Sequence, residues 1–335
     1  MIEGHGDDTH RYAGKIVHNF SSNVYYKGCP RDLLAKISSR VQTIQNYPSP
    51  AARELNEVAA MRYGISVDHF LFTNGATEAF YLIAQLFSDE RVAIIGPTFS
   101  EYEDACKIHG LKYQLVNRSA LDVERFGLVF ICNPNNPDGR VLQTGELITW
   151  IENNPATTFV IDEAYIEFTR QVTSLAPEVK RFSNLIIVRS LTKTFAIPGL
   201  RLGYVMTSTS LIKQLLSKKM PWSVNALAIA AGLSIFQHYD KWQFKVEELL
   251  QETQDLMSKL SRFEWLALRP SYTSYFLVEL KKGTAAALKG YLAEQHSILV
   301  RDATNFNGLE GEYIRLATQS PEANQALINA LDTWN

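Results

Sequence analysis

The organisation of this chain is clearest in the segment Ser190-Leu191-Thr192-Lys193-Thr194-Phe195-Ala196-Ile197-Pro198-Gly199-Leu200-Arg201-Leu202-Gly203-Tyr204. A lysine, Lys193, is flanked by small hydroxyl side chains, and a Pro-Gly turn separates it from Arg201. Apolar runs precede and follow the segment, which indicates a loop between two strands. A solvated loop is the simplest interpretation, because most lysines are exposed. The hydroxyls and the arginine around the lysine argue for a more specific one.

An amine beside hydroxyls and a guanidinium suits a lysine that forms a Schiff base with a carbonyl cofactor. Arg201, Ser190 and Thr192 would then hold a phosphate group of that cofactor. A cationic neighbour and partial burial would also lower the pKa of the Lys193 amine, as an amine nucleophile requires. We therefore expect pyridoxal phosphate on Lys193.

The segment resembles the lysine motif of the fold-type-I, aspartate-aminotransferase-like enzymes, which use pyridoxal phosphate. It is most similar to the branch that holds histidinol-phosphate aminotransferase and threonine-phosphate decarboxylase. The resemblance covers nearly the whole chain and implies an α/β fold. We expect a large domain at 36–240 with a mostly parallel sheet flanked by helices. Residues 1–35 and 241–335 would form an N-terminal arm and a smaller α+β domain.

Composition excludes several other classes of protein. The 335 residues are 46% hydrophobic and carry a net charge of −2, so nucleic-acid binding has no electrostatic basis here. The three cysteines, Cys29, Cys106 and Cys132, fit neither a disulfide framework nor a zinc site, and no metal site is expected. No apolar run is long enough to cross a bilayer, and the polar start is unlike a signal peptide. The composition therefore predicts a cytoplasmic protein with no membrane or nucleic-acid partner, and the resemblance implies an enzyme with a small-molecule substrate.

Strand and helix signals alternate along the first two thirds of the chain. The predicted strands end, one after another, at polar or glycine-containing segments, near Thr73, Gly96, Cys132, Asp162 and Arg189. This is the pattern of an open, mostly parallel sheet, whose ligands lie beyond the carboxyl ends of the strands. Further along, apolar spacing from Trp242 to Leu260 predicts one long amphipathic helix before the smaller domain.

The segment Asn74-Gly75-Ala76-Thr77-Glu78 precedes a predicted apolar helix, Ala79 to Phe87. A glycine and a small hydroxyl at a helix start can bind an anion, because free backbone N–H groups and the helix dipole point at it. Thr77 could equally be a plain N-cap. The resemblance implies that Gly75, Ala76 and Thr77 bind the cofactor phosphate.

Two further loops carry predicted cofactor contacts. In relatives an aromatic residue after the strand that matches Val92 to Ile95 stacks on the pyridine ring. Phe99 is the first candidate here and Tyr102 the second. Either ring could instead pack under the following helix. The loop Cys132-Asn133-Pro134-Asn135-Asn136-Pro137-Asp138-Gly139 resembles the family's asparagine loop. Asn136 would then bind the phenolic oxygen of the cofactor. The family more often has threonine where this chain has Asp138.

The segment Asp162-Glu163-Ala164-Tyr165 ends the next predicted strand. A carboxylate in this place keeps the pyridine nitrogen protonated, so that the ring accepts electrons as a substrate carbanion forms. The resemblance assigns this role to Asp162 and contact with the phenolic oxygen to Tyr165. A turn with solvated acids is the alternative.

The N-terminal arm and a Tyr-Pro-x-Pro segment supply further candidates. An early His-Gly pair and an asparagine recur in the family's arm, which makes His5 and Asn23 candidate substrate contacts. In relatives the tyrosine that matches Tyr47 reaches the cofactor phosphate of the neighbouring subunit. The resemblance therefore implies a homodimer with shared active sites.

Arg315 matches the family arginine that binds the substrate α-carboxylate, a task suited to a two-pronged guanidinium. A strand arginine paired with Glu312 or another acid is the alternative. The threonine-phosphate decarboxylases often carry a second basic residue four positions later, where this chain has Gln319. Arg301, together with Asn23 and His5, is expected to compensate in binding a substrate phosphate.

The resemblance in the arm, in Met220 to Asn225 and in Ile298 to Leu309 favours L-threonine O-3-phosphate decarboxylase of cobalamin synthesis. Transamination of histidinol phosphate or another amino acid is the first alternative. A catalytically inactive ligand-binding module on the same fold is a distant one, because the chain retains Lys193, Asp162, Tyr165, Asn136 and Arg201 together.

Overall fold

The structure is a computed structural model that describes residues 7–12 and 14–334. The predicted substrate contact His5 lies outside the described residues. The strands are β1 (His18–Asn19), β2 (Phe70–Asn74), β3 (Arg91–Ile95), β4 (Lys112–Val116), β5 (Leu128–Cys132), β6 (Thr158–Asp162), β7 (Leu185–Ser190), β8 (Leu202–Thr207), β9 (Leu266–Leu268), β10 (Tyr275–Leu280), β11 (Ile298–Leu299), β12 (Arg301–Asp302) and β13 (Tyr313–Ala317).

Helices cover most of the connections between these strands. The α-helices are α1 (Arg31–Ser39), α2 (Arg53–Tyr63), α3 (Gly75–Leu86), α4 (Glu101–Ile108), α5 (Thr144–Asn153), α6 (Leu191–Thr194), α7 (Thr209–Lys218), α8 (Ala226–Gln237), α9 (Tyr239–Trp242), α10 (Val246–Leu260), α11 (Ala285–His296) and α12 (Pro321–Asp332). Short 3₁₀ turns span Thr9–Tyr12, Val41–Gln45, Val67–His69, Arg118–Ala120, Val123–Arg125, Ile166–Phe168, Ala176–Lys180 and Pro198–Leu200.

The large sheet of the described chain has seven strands in the order β2-β8-β7-β6-β5-β3-β4. The pairs β7-β6, β6-β5, β5-β3 and β3-β4 are parallel, whereas β8 is antiparallel to both β2 and β7. The carboxyl ends of β3, β5, β6 and β7 therefore lie at one edge of the sheet. That edge is where an open parallel sheet binds its ligands.

Both faces of this sheet are buried, which explains its continuous apolar strands. Along β5, Val129 and Ile131 pack into one core cluster and Leu128 and Phe130 into another, because successive side chains point to opposite faces. Helices α2, α5 and α8 contribute to the first cluster, and α3, α4 and α7 to the second. The expected α/β fold with helices on both faces is confirmed.

The smaller sheet has the order β12-β13-β10-β9 and is antiparallel throughout. It packs with α10, α11 and α12 around a separate core cluster. The N-terminal arm joins this unit: β1 pairs with β11, and Phe20 is fully buried in the same cluster. The boundaries 1–35, 36–240 and 241–335 stay a prediction.

Two predicted helix boundaries are wrong. Helix α3 begins at Gly75 with Asn74 at the N-cap position, so Thr77 lies in the first turn and is not the N-cap. The helix predicted from Trp242 is interrupted: Trp242 ends the short α9, and α10 begins at Val246. Extended backbone at Gln243 and Lys245 separates them, although the apolar spacing continues across the break. In the described part of the chain, no helix is long and apolar enough to cross a membrane.

Candidate active site

A cavity beyond the carboxyl ends of β5, β6 and β7 brings together most of the predicted cofactor residues. It is lined by Ala76, Thr77, Phe80, Phe99, Cys132, Asn136, Asp162, Ala164, Tyr165, Ser190, Thr192, Lys193 and Arg201. Phe80, Cys132 and Ala164 were not predicted. Their apolar or small side chains carry no chemical signal in the sequence, and only the fold places them at the cavity wall.

Lys193 lies in α6, one turn of helix that follows β7 directly. Ser190 caps this turn: its hydroxyl accepts from the Thr192 N–H at 3.4 Å and lies 2.8 Å from the Thr192 hydroxyl. The carbonyl of Lys193 accepts from the N–H of Tyr25, so the N-terminal arm crosses this turn. The turn thereby fixes the lysine backbone at the edge of the cavity.

The Lys193 amine has a pKa lowered to about 8. Burial is the main cause, because it disfavours the charged form, and the guanidinium groups of Arg315 and Arg201 lower the pKa further. A partly deprotonated amine near neutral pH is suited to nucleophilic attack and proton transfer. The interpretation of this segment as a merely solvated loop is not supported.

The start of α3 and the end of the lysine segment meet in a tight backbone contact. A Cβ atom at Gly75, where φ is +77°, would lie 2.5 Å from Nη2 of Arg201, so glycine allows the guanidinium to reach the helix start. A Cβ atom at Gly203 would lie 2.5 Å from the N atom of Ala76. Two glycines thus bring Arg201 beside the first N–H groups of α3, an arrangement suited to binding an anion.

Asp162 ends β6 and is buried, with an exposed fraction of 4%. Its Oδ1 accepts from the Ala164 N–H at 2.9 Å, and its Oδ2 accepts from the Tyr102 hydroxyl at 2.5 Å. Burial raises the pKa of the carboxyl to about 6, and these two donors oppose the rise. Glu163 is buried as well, so the alternative of a turn with solvated acids is wrong.

Asn136 and Tyr165 line the cavity, and Arg315, which is not among the lining residues, contacts Asn136. Nη1 of Arg315 donates to Oδ1 of Asn136 at 2.6 Å, and Nη2 donates to the carbonyl of Ser21 at 2.5 Å. The amide of Asn23 donates to the Tyr165 hydroxyl at 3.4 Å. Arg315 thereby joins the small sheet, the asparagine loop and the arm, and the alternative pairing with Glu312 is not formed.

Arg301 lies on the strand beside Arg315, with which it is in register. Both side chains are buried, and Nη2 of Arg301 donates to Oδ1 of Asn305 at 2.7 Å. Burial and the nearby Arg315 lower the pKa of Arg301 to about 10. Two guanidinium groups held this close in a buried place attract anionic groups.

Other predicted residues lie elsewhere. Tyr47 is 87% exposed and contacts only the ring of Trp222 among aromatic side chains of the described residues. Tyr102 is fully buried behind the cavity wall, whereas Phe99 lines the cavity. The Gln319 amide donates to the carbonyl of Ala317, two residues away. Asp138 lines a separate cavity, so its carboxylate is not a wall of the Lys193 site.

The donor set fits pyridoxal phosphate. Thr77, Ser190, Thr192 and Arg201 suit a phosphate, Lys193 suits an aldehyde, and Asp162 suits a protonated ring nitrogen. Two buried atoms at this site have no hydrogen-bond partner among the described residues, Oδ1 of Asn23 and Nε of Arg315. Buried polar atoms are costly when unpaired, so these two indicate where a ligand completes the site.

Comparison with known proteins agrees with this geometry. The family model described as aminotransferase class I and II matches residues 15–331. A histidinol-phosphate aminotransferase from Caldanaerobacter subterraneus subsp. tengcongensis is 32% identical over 318 residues, covering 90% of this chain and 88% of that protein.

Two solved structures extend the similarity over nearly the whole fold. The crystal structure of L-threonine-O-3-phosphate decarboxylase from Porphyromonas gingivalis has a TM-score of 0.92 and 38% identity, covering 95% of this chain and 99% of that one. The histidinol-phosphate aminotransferase from Clostridium acetobutylicum has a TM-score of 0.84 and 27% identity, covering 93% and 97%.

Proposed function

The chain belongs to the class I and II aminotransferases, and from this membership we propose that it is an L-threonine O-3-phosphate decarboxylase. The family is one of pyridoxal-phosphate enzymes, and the expected resemblance to it is confirmed. The reaction and the substrate are our proposal. Transamination of histidinol phosphate is the alternative, because relatives of both kinds match the chain.

Pyridoxal phosphate, when bound, supplies an aldehyde for an amine and a ring that accepts electrons as a bond at the substrate α-carbon breaks. The protein's task is to bind, orient and move protons. Asp162 would hold a proton at the ring nitrogen, and Asn136 and Tyr165 would bind the phenolic oxygen. Ser190, Thr192, Arg201 and the start of α3 would hold the phosphate.

Arg315 would select the bond that breaks. A guanidinium that holds the substrate carboxylate would set the orientation of the bonds at the α-carbon. In a decarboxylase, Arg315 would hold the carboxylate so that its bond to the α-carbon breaks and carbon dioxide leaves, and the cofactor, when bound, would accept the electrons of that bond. Lys193 would then donate a proton to the α-carbon, which its pKa of about 8 allows near neutral pH.

The paired guanidinium groups of Arg301 and Arg315 support a substrate with two anionic groups. Threonine O-phosphate has a carboxylate and a phosphate, whereas histidinol phosphate has only a phosphate. We assign the carboxylate to Arg315 and the phosphate to Arg301 and Asn23, with His5 as a further predicted contact. Arg301 would thus compensate for Gln319, whose amide donates to the carbonyl of Ala317.

The observation that carries the choice of reaction is the 38% identity to the decarboxylase over 95% of this chain. The two aminotransferases compared above are 32% and 27% identical. An inactive ligand-binding module is disfavoured, because the groups proposed to bind the cofactor, among them Lys193, Asp162 and Arg201, lie around one cavity.

We also propose a homodimer in which Tyr47 reaches the partner's cofactor phosphate. Ile44, Tyr47 and Trp222 are large, exposed side chains that line one groove of about 420 Å³. Exposed apolar patches of this kind mark interaction surfaces. A cytoplasmic location stays a prediction from the sequence.

One incubation separates the two reactions. The cofactor-loaded protein is given threonine O-phosphate, with assays for carbon dioxide and aminopropanol phosphate. In parallel it is given histidinol phosphate with 2-oxoglutarate, with an assay for glutamate. Carbon dioxide without glutamate supports the proposal. Glutamate alone would overturn the proposal in favour of an aminotransferase. If neither carbon dioxide nor glutamate forms, the inactive module is favoured.

A further inference from the structure

Tyr102 is fully buried in α4, behind the wall of the active-site cavity. Its ring stacks on Phe130, with 5.3 Å between ring centroids and an interplanar angle of 8°. The rings of Phe80 and Phe99 meet it edge-on, at 4.8 Å and 5.8 Å. Such packing leaves the ring a single orientation, and in that orientation its hydroxyl donates to Oδ2 of Asp162 at 2.5 Å.

Few other groups contact the Asp162 carboxylate. Oδ1 accepts from the Ala164 N–H, and the Cys132 thiol lies 3.9 Å from Oδ2. Among the described residues, no lysine or arginine is hydrogen-bonded or ion-paired to this carboxylate. An ionised carboxylate has about four lone-pair sites, so the three donors Tyr102, Ala164 and Cys132 leave one site for a further donor, such as the N–H of a protonated ring nitrogen.

A buried carboxylate without a cationic partner tends to become protonated. Burial is the largest influence on Asp162 and raises its pKa, while the Tyr102 hydroxyl is the largest influence that lowers it. The other titratable groups near it are Glu163, Cys132, Tyr165 and Lys193. Glu163 raises the pKa of Asp162 by its negative charge, so it cannot take the place of Tyr102.

We propose that Tyr102 is a positioning residue for Asp162. The Tyr102 hydroxyl keeps the Asp162 carboxylate ionised and oriented toward the ring nitrogen of the cofactor. The inference rests on the proposed contact between Asp162 and that nitrogen. It gives Tyr102 a role different from stacking on the ring, for which Phe99 at the cavity wall stays the candidate. The aromatic rings packed around Tyr102 then hold its hydroxyl in the orientation that reaches Asp162.

The test is Tyr102→Phe, which removes the hydroxyl and keeps the ring contacts. Apoprotein is titrated with pyridoxal phosphate between pH 5 and pH 9, and the dissociation constant is measured at each pH. Tyr81→Phe is the matched control, since the Tyr81 hydroxyl donates to Glu101 and not to Asp162. Melting of each apoprotein reports whether the fold is retained.

We expect Tyr102→Phe to bind the cofactor about tenfold more weakly at pH 7, the scale of a hydrogen bond to a charged group. The carboxylate loses a donor that favours its charged form, so its pKa rises. The acid-side loss of affinity should then begin about one pH unit higher than in the wild type. A merely structural role would lower the melting temperature without moving this pH profile.

Asp162→Asn and the double variant that combines it with Tyr102→Phe complete a double-mutant cycle. If Tyr102 acts through Asp162, Tyr102→Phe has little further effect on affinity once Asp162 is asparagine. Equal and additive losses in both backgrounds would overturn the inference, and so would a wild-type pH profile in Tyr102→Phe. If Asp162→Asn itself leaves cofactor affinity and spectrum unchanged, the assigned contact of Asp162 fails, and the role of Tyr102 fails with it.

Discussion

Nη1 of Arg315 lies 2.6 Å from Oδ1 of Asn136, although the two residues are 179 positions apart in the chain. The bond joins the predicted carboxylate-binding strand to the loop predicted to bind the phenolic oxygen. Because Oδ1 of Asn136 accepts from Arg315, the amide group of Asn136 is the part that can donate to a ligand. The residues proposed to orient the substrate and to bind the cofactor therefore share one hydrogen bond.

Lys193→Ala should remove both the covalent link to the cofactor and the proton donor. We expect turnover to fall by about 10²–10⁴-fold, the usual contribution of one acid-base group. The visible absorption of the lysine-bound cofactor should disappear. Lys213→Ala is the control, since Lys213 is an exposed lysine on α7. An unchanged spectrum in Lys193→Ala would contradict the assignment.

The rate at which apoprotein captures pyridoxal phosphate should rise with pH through about 8. The neutral amine is the nucleophile, and the pKa of Lys193 is lowered to about 8. Arg315→Gln removes a nearby positive charge that lowers this pKa, so its midpoint should lie at higher pH. Stopped-flow absorbance over a pH series measures both midpoints. A midpoint that moves down, or does not move, would show that Arg315 has no such influence.

Arg301 and Arg315 should affect different parts of the substrate. Arg301→Gln should raise the KM for threonine O-phosphate about tenfold and leave the rate measured with unphosphorylated threonine at its wild-type value. Arg315→Lys loses the two-pronged contact and should raise the KM for both compounds. Initial rates with each compound separate the two effects. If Arg301→Gln lowers the rates with both compounds equally, the assignment of the substrate phosphate to Arg301 is contradicted.

Tyr47→Phe should weaken cofactor binding, and mixing this variant with Lys193→Ala subunits should restore it at one site of each mixed dimer. If Tyr47 serves the neighbouring site, a dimer of one Tyr47→Phe and one Lys193→Ala subunit has one site with both native residues. We expect activity to appear when the two variants are mixed and allowed to exchange. Sedimentation checks that dimers form. No gain on mixing, or a fully active monomer, would contradict the shared site.

Strand ends and chemical groups could be predicted from the sequence, whereas contacts between distant segments could not. Lys193 and Asp162 each follow a run of apolar residues, and a parallel sheet brings such ends together. The Tyr102 hydroxyl reaches Asp162 across 60 positions, and neither residue has a local pattern that indicates its partner. Tyr102 therefore looked like a second ring-stacking candidate, and only packing in three dimensions reveals its hydroxyl as a donor.

Helix boundaries failed for a related reason. Asn74 and Thr77 are both acceptable N-cap residues, so composition alone cannot choose between helix starts three residues apart. The helix begins at Gly75, and the close approach of Gly203 to Ala76, a contact between β8 and α3, lies at this helix start. No local sequence pattern indicates that contact. It can be tested by comparing alanine substitutions at two glycines of the same segment.

Gly203→Ala and Gly199→Ala place the same methyl group at two glycines of the lysine segment, with opposite expected results. At Gly203 the new Cβ would lie 2.5 Å from the N atom of Ala76 and 2.9 Å from the carbonyl oxygen of Arg189. Both neighbours are backbone atoms, so β8 would have to move away from the start of α3 and from β7 to make room. At Gly199 no atom lies within 4 Å of the added Cβ.

We therefore expect Gly203→Ala to lower the free energy of unfolding by about 1–3 kcal/mol, as overpacking usually does. Gly199→Ala should stay within about 0.5 kcal/mol of the wild type. Because the displaced backbone belongs to the predicted phosphate site, Gly203→Ala should also bind pyridoxal phosphate more weakly, while Gly199→Ala binds it normally. Urea unfolding of the apoproteins and cofactor titration measure the two effects. Wild-type stability with weakened binding would assign Gly203 to the ligand site alone, and equal effects of both substitutions would contradict the contact between β8 and α3.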